Sequence, residues 1–395
     1  MGEIRESERG QGTTPSASEP YQLRIENKAP TDREGSHDKP GTDLIPARLF
    51  AHDRAIGGDP SAEAREGRSK LGSGSDVVVA PEARALLDTG HPVDSAQVYE
   101  TVVGERPPRC DWTTAFRSTN WWPLLESRSG LSFTPEYIPR EQLGPQGHRE
   151  VLPEVATEAQ RLLENPRYRS QYEVEPGLAQ VGVDQEGVVR LVYTDTSHVE
   201  ERARQNLIGK DEDGIRQGVA HFGPSLRTGA HVVPLVREGE REYVMAGEKR
   251  DGSLGSVTEG ASFSDGHPAP DPYRIVERGL LEELGVPREH IVERSLTTFG
   301  IGETGTMNPI GYARLDLTRQ QLRDLWANAE DHGEFRDLQF VPFTIEDTLD
   351  ALMRPENTWL RTTPPTLVHL LVDKYGEQTV KSAIEQRAAH ASSST

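Results

Sequence analysis

Glu277-Arg278-Gly279-Leu280-Leu281-Glu282-Glu283-Leu284-Gly285-Val286 is the stretch on which the fold of this chain turns. Tyr273, Val276, Leu280 and Leu284 recur at three- and four-residue steps, the spacing of one buried helix face. Asp271-Pro272 supplies an N-cap and a first-turn proline, and Gly285 supplies a C-terminal stop. The pattern predicts a helix that ends at Gly285 and carries two adjacent carboxylates, Glu282 and Glu283, one turn after Arg278. Neighbouring helical residues project about 100° apart, so both carboxylates can border one pocket mouth. Such a pair can seat a divalent cation that prefers hard oxygen ligands. For so short a string, an ordinary surface ion pair between Arg278 and Glu282 is the plain alternative.

The surroundings extend the pattern. His231–Val236 and Glu242–Ala246 read as strands joined by Arg237–Arg241, with Pro234 suggesting an edge or a strand start. A glycine-containing loop, Gly255–Gly260, leads towards the helix. Beyond it, Leu296–Phe299, Ile310–Leu315 and Leu338–Phe343 are strand-like. Helices are expected near Gln320–Ala329, Ile345–Leu352 and Thr366–Lys374.

This order of elements, together with Arg278, Leu280, Glu282, Glu283, Gly285 and Val286, resembles the Nudix family. The helical half of that family's box reads Arg-Glu-apolar-any-Glu-Glu-any-Gly-apolar. The resemblance covers roughly residues 228 to 376. It implies an α/β chain: a Nudix-like α/β/α sandwich with a mixed sheet in the C-terminal half, preceded by a smaller α+β domain and a disordered N-terminal tail. The match departs at Gly279, where the family has Glu. A helix-interior glycine costs about 1 kcal/mol relative to alanine, so Gly279 is not there for helix stability; it lets another backbone or a ligand come close. The segment Ala261–Pro270 is longer than the family pattern. The family's loop Glu, which pairs with the Arg, would fall at Ala261 or Pro270, and Glu259 is the nearest carboxylate that could substitute.

The resemblance implies Mg²⁺ (or Mn²⁺) held by Glu282 and Glu283 with Glu259, Arg278 orienting the carboxylates, and water attacking phosphorus. Glu259, Glu303 or Glu334 would take the proton; among the acidic loop residues Asp331, Glu334 and Asp337, Glu334 is favoured. Lys249 and Arg250, at the end of the second strand, either meet phosphate oxygens or keep a hairpin end soluble. The implied activity is Mg²⁺-dependent hydrolysis of a nucleoside diphosphate linked to another moiety. The alternative, motivated by Gly279 and the missing loop Glu, is a catalytically degenerate Nudix-like module that binds a nucleotide or regulates a partner. Relatives in the family often dimerise, so a homodimer is open.

Bulk properties bound the partners. The net charge of −20 argues against a nucleic-acid polymer, because no basic stripe offsets it, while a small phosphorylated nucleotide-type ligand stays open through a bound cation. One cysteine, Cys110, excludes a disulfide framework within the chain and points to the cytoplasm. No apolar run approaches the ~18 residues of a membrane span, and Met1–Glu8 has no apolar core, so neither a membrane segment nor a secretory leader is expected. Hydrophobic residues make up 34% of the chain and mean hydropathy is −0.65, so part of it should lie outside any packed core.

Four regions are expected: a disordered tail over 1–75, an α+β domain of unknown role over 76–225, the Nudix-like domain over 226–380, and a second disordered tail over 381–395. In the second region, Trp112, Trp121 and Trp122 suggest packing or a stacking platform. Glu150–Glu164 and Ser197–Leu207 read as helices, and Leu178–Val183 with Val188–Tyr193 as a hairpin turning at Asp184–Gly187. Gly300-Ile301-Gly302-Glu303-Thr304-Gly305 fits a dinucleotide-binding string, but no helix is expected after it, so it reads as a loop near the pocket.

Overall fold

Strand and helix signals are dense from residue 76 onward, and the computed structural model describes residues 76–104, 121–143, 151–169, 174–209, 212–354, 356–360 and 362–393. The expected tail over 1–75, Cys110 and Trp112 lie outside the described residues. In the first half run β1 (Val78–Val79), α1 (Pro81–Leu87), β2 (Val93–Asp94), α2 (Ser95–Gly104), β3 (Trp121–Glu126), β4 (Phe133–Tyr137), α3 (Pro153–Leu163), α4 (Pro166–Arg169), β5 (Val174–Val183), β6 (Val189–Ser197), α5 (His198–Leu207) and α6 (Glu212–Phe222). The second half adds β7 (Gly229–Glu238), β8 (Arg241–Lys249), β9 (Leu254–Gly255), β10 (Val257–Gly260), α7 (Pro272–Leu284), β11 (Ile291–Gly302), β12 (Met307–Leu315), α8 (Arg319–Trp326), β13 (Phe335–Pro342), α9 (Ile345–Met353), α10 (Thr363–Tyr375) and α11 (Glu377–Ser393).

The fold is α/β with two mixed sheets. The larger has nine strands in the order β1-β3-β11-β12-β7-β8-β13, with β10 pairing β7 and β9 pairing β8. The β12–β7 pair is parallel and the rest are antiparallel. Alternation along β7 and β8 sorts the core into two layers, as a period of two requires. Val232, Val236 and Met245 face α7, with Ile275, Val276, Leu280 and Leu284 in the same cluster. Val233, Leu235, Val244 and Ala246 face the other way, onto Leu349, Leu352, Leu367 and Leu371 of α9 and α10. The sheet is thus sandwiched between helices.

Three expectations change. Pro234 is interior: β7 pairs β12 on one side and, on the other, β10 up to Val232 and β8 from Leu235. On that second side Pro234 falls at the switch of partner, between the β10 and β8 ladders, where no pairing calls on an N–H. The polar tail expected from residue 381 is instead helical, with α11 burying Val380 and Ile384 against α9 and α10. Finally, β1 and β3 join the large sheet through the antiparallel β3–β11 pairing, which runs from Glu126↔Thr298 to Trp121↔Gly302, so strand pairing crosses residue 225. The Trp121 ring lies over Gly300, where an added Cβ would meet it at 2.2 Å; of the tryptophan cluster, this member packs.

The smaller sheet has the order β2-β5-β6-β4 and contains the anticipated hairpin at Asp184–Gly187. Its Leu178, Val181, Leu191 and Tyr193 share the core that holds α7. The glycine-rich string at residues 300–305 is a tight β11–β12 hairpin with Gly305 N donating to Gly302 O at 2.9 Å, and no helix follows it. Among the described residues, no helix is long and apolar enough to cross a membrane.

Candidate functional site

The ends of α7 follow from its caps. Asp271 Oδ1 accepts from Tyr273 N at 2.9 Å, and Gly285 takes the left-handed conformation with φ 67°. The buried stripe of the helix comprises Pro272, Ile275, Val276, Gly279, Leu280, Glu283 and Leu284. Glu283 therefore lies on the core-facing side, 3% exposed, whereas Glu282 stands beside it at the rim. Thr258 N of β10 donates to Glu283 Oε1 at 3.0 Å, and Oε2 is buried without a hydrogen-bond partner. A buried carboxylate with one oxygen unmatched is costly, and burial pushes the Glu283 carboxyl up to about 8, against the pull of the Lys249 charge and the Thr258 N–H.

Gly279 explains how β10 reaches the helix. A Cβ there would stand 2.7 Å from Glu259 Cβ and 3.1 Å from Val257 Cγ1. Glu259 of β10 thus fills the space that a side chain at 279 would need. Its carboxylate receives Arg278 Nη1 at 2.9 Å and Gly260 N at 2.9 Å. Burial, opposed by Arg278 and reinforced by the Glu282 charge, raises the Glu259 carboxyl to about 7. The space beside Gly279 is filled by the Glu259 stem entering from the neighbouring strand, which carries its carboxylate on to Arg278.

Arg278 gathers the site. Nη1 also reaches Glu282 Oε2 at 3.1 Å, Nη2 contacts Gly260 O, and Nε and Nη2 form a two-pronged pair with Asp265 at 2.7 and 3.1 Å. Asp265 is 3% exposed and closes a capping box with Ser262 on the Phe263–Asp265 turn. Glu259 pairs with Arg278 as expected, and Asp265 adds a second, more deeply buried partner that sequence reasoning missed. The Ser262-Phe263-Ser264-Asp265 string carried a signal, since it is a capping-box pattern inside the extra loop.

The other expected residues divide. Lys249 Nζ reaches Glu334 Oε2 at 3.3 Å, and both charges act on Glu283, so these two belong to the cluster. Arg250 Nε donates to Gly333 O at 3.2 Å, tying β8 to the turn that bears Glu334. Asp331 contributes its backbone, donating N–H to Glu282 O at 2.8 Å, while the Asp337 carboxylate pairs with Arg323 at 2.6 Å. Glu303 sits on the β11–β12 hairpin tip, whose contacts run to Tyr99 Oη and Ser225 N rather than to this cluster. His231 Nδ1 lies 3.2 Å from Thr258 Oγ1 and 3.1 Å from Thr362 Oγ1; burial, with the Lys249 charge, lowers its pKa to about 4, so it is neutral and structural.

Glu259, Glu282 and Glu283 supply hard oxygen donors suited to Mg²⁺, and the unmatched Glu283 Oε2 is an atom that a cation would satisfy. As the side chains stand, no group of three His, Cys, Asp or Glu among the described residues converges closely enough to hold a metal ion. Arg278 draws the Glu259 and Glu282 carboxylates towards itself, so binding an ion requires these two to turn from its Nη1.

No protein-family model matches this chain, and no curated protein matches its sequence. Among solved structures, it is similar to a C. elegans Ap4A hydrolase in a binary complex, with 11% identity and a TM-score of 0.21 over 42% of this chain and 98% of that chain.

Proposed function

We propose that the acidic side of α7, completed by Glu259, is a Mg²⁺-dependent hydrolytic site of Nudix type acting on a nucleoside diphosphate linked to another moiety. The observation that carries this reading is the buried Glu283 carboxyl, with one oxygen unmatched, beside Glu259, whose stem packs against Gly279. Glu282 and Glu283 would hold Mg²⁺, or Mn²⁺, and Glu259 borders the same space. When bound, the cation offsets charge on phosphate oxygens and raises the acidity of bound water. Glu259, with a carboxyl near 7, is suited to take the proton of the attacking water. Arg278 orients Glu259 and Glu282, and Asp265 holds Arg278. Lys249, at the rim, meets phosphate oxygen, and Glu334 keeps it in place.

Glu283→Gln should abolish Mg²⁺-dependent release of a nucleoside monophosphate while the circular-dichroism spectrum stays native. Unchanged turnover in that variant sinks the assignment. A second reading, a nucleotide-binding or regulatory module without turnover, is favoured by the Arg278 pairing of Glu259 and Glu282. Incubating a nucleotide library with protein and Mg²⁺ separates the two: a thermal shift with product supports hydrolysis, and a shift without product supports the binding module.

A further inference from the structure

The loop that supplies Asp265 also walls a cavity. Between the smaller sheet and residues 263–268 lies a cleft of about 680 Å³ lined by Tyr137, Val174, Asp195, Phe263, His267 and Pro268. The cleft is wide open to solvent, so a ligand there would rest against its wall rather than be enclosed. Tyr137 and Phe263 meet edge to face, with centroids 5.6 Å apart and planes at 85°. Phe263 is 36% exposed despite the aromatic partner beside it. Tyr137 Oη donates to Asp195 Oδ2 at 2.6 Å, fixing a carboxylate at the aromatic wall, and a carboxylate accepts more than one N–H.

The cleft is coupled to the acidic site through one turn of chain. Phe263 and Asp265 belong to the same 3-10 turn, so their Cα atoms lie within about 7 Å of each other. Asp265 grips Arg278, which touches Glu259 and Glu282. A ligand with a planar ring in the cleft would therefore have its remaining groups beside the turn whose Asp265 holds Arg278.

Resting on the reading of the acidic site as one for a nucleoside diphosphate derivative, we infer that the Tyr137–Phe263 cleft is the seat of the nucleobase, with Asp195 accepting from the ring's exocyclic amine. The first half of the chain then contributes specificity: Tyr137 and Asp195 come from β4 and β6, and Phe263 and His267 from the loop before α7. Aromatic faces hold a base by stacking, and the carboxylate favours bases that carry an amine.

The test uses the full chain, without metal, and adenosine, guanosine, cytidine and uridine as probes, titrated by calorimetry. The amine-bearing nucleosides should bind more tightly than uridine. Phe263→Ala should weaken adenosine by roughly 5- to 150-fold, the range for one lost stacking partner. If that variant fails to fold, His267→Ala on the same loop, which should also weaken adenosine, and Asp195→Ala serve instead, the latter erasing the preference for amine-bearing bases by removing the acceptor. No binding by any nucleoside, or adenosine affinity unaltered in the folded variants, overturns the inference. Hydrolysis is scored separately with Mg²⁺. Nucleoside binding without turnover removes the hydrolase reading and leaves the cleft. Turnover with unchanged KM in Phe263→Ala removes the cleft and leaves the hydrolase.

Discussion

Glu283→Gln should stabilise this protein at alkaline pH relative to acid pH, and the size of that effect follows from the burial of one carboxyl. In the unfolded chain the Glu283 pKa is the ordinary 4.5, and in the folded protein it is about 8. The native state therefore holds a proton that the unfolded state has released, and stability falls as pH rises from about 4.5 to about 8. At roughly 1.4 kcal/mol per unit, the penalty at and above pH 8 is about 5 kcal/mol, a ceiling that water entry would lower. Glutamine has nearly the same shape, can still accept from Thr258 N, and does not titrate. Any fixed cost of its amide is the same at every pH. Guanidinium unfolding of both proteins at pH 5 and pH 8.5, without divalent cation, isolates the titrating part: the variant should gain about 4 kcal/mol on wild type between the two. A stability gap that stays constant, or moves the other way, would refute the placement of Glu283 on the buried face.

Four further outcomes follow from the same geometry. Gly279→Ala should lower stability by about 1–3 kcal/mol, because its Cβ collides with Glu259 and Val257, where an exposed helical glycine would gain about 1 kcal/mol; a raised Tm would contradict the close approach. Gly279→Glu should be worse alone than combined with Glu259→Gly, and a double-mutant cycle with no coupling would separate the two positions. Asp265→Ala removes the most buried of the Arg278 partners while Glu259 and Glu282 remain, and should cost about 1.5–3 kcal/mol by denaturant unfolding, with Asp265→Asn milder. The thermal shift produced by Mg²⁺ should grow from pH 6 to pH 8.5, as Glu259 and Glu283 ionise; an equal shift at both would take these carboxylates out of ion binding.

Much of the frame was legible because its signals are local. Asp271, Pro272 and Gly285 mark the ends of α7 within a few residues of the groups they satisfy, and Asp184–Gly187 marks a hairpin in the same way. The features that escaped are contacts between distant segments. Gly279 announces only that something approaches; that it is Glu259 depends on β10 pairing β7 in register and lying across the helix. Asp265 reaches Arg278 only because its loop folds back over the start of α7. Glu282 and Glu283 looked equivalent, yet a rotation of about 100° between neighbours puts one at the rim and the other in the core. The buried stripe of α11 is narrow, Val380 and Ile384 in an otherwise polar run, so its composition concealed its packing.

The pairing of β3 with β11 has a consequence for the order in which the chain can be assembled. Glu126 finds Thr298 about 170 residues further along, and β1 finds a place in the sheet only through β3. At the usual 5–20 residues per second, a ribosome needs roughly 10–30 s to deliver β11 after β3 has emerged. Throughout that interval Trp121, Leu124 and Leu125, all buried in the finished protein, have no β11 surface to cover them. The nascent first half is thus a natural client for holding chaperones. Fragments released before β11 is made should be cleared or aggregate, whereas full-length chains close this surface as soon as the β11–β12 hairpin is complete.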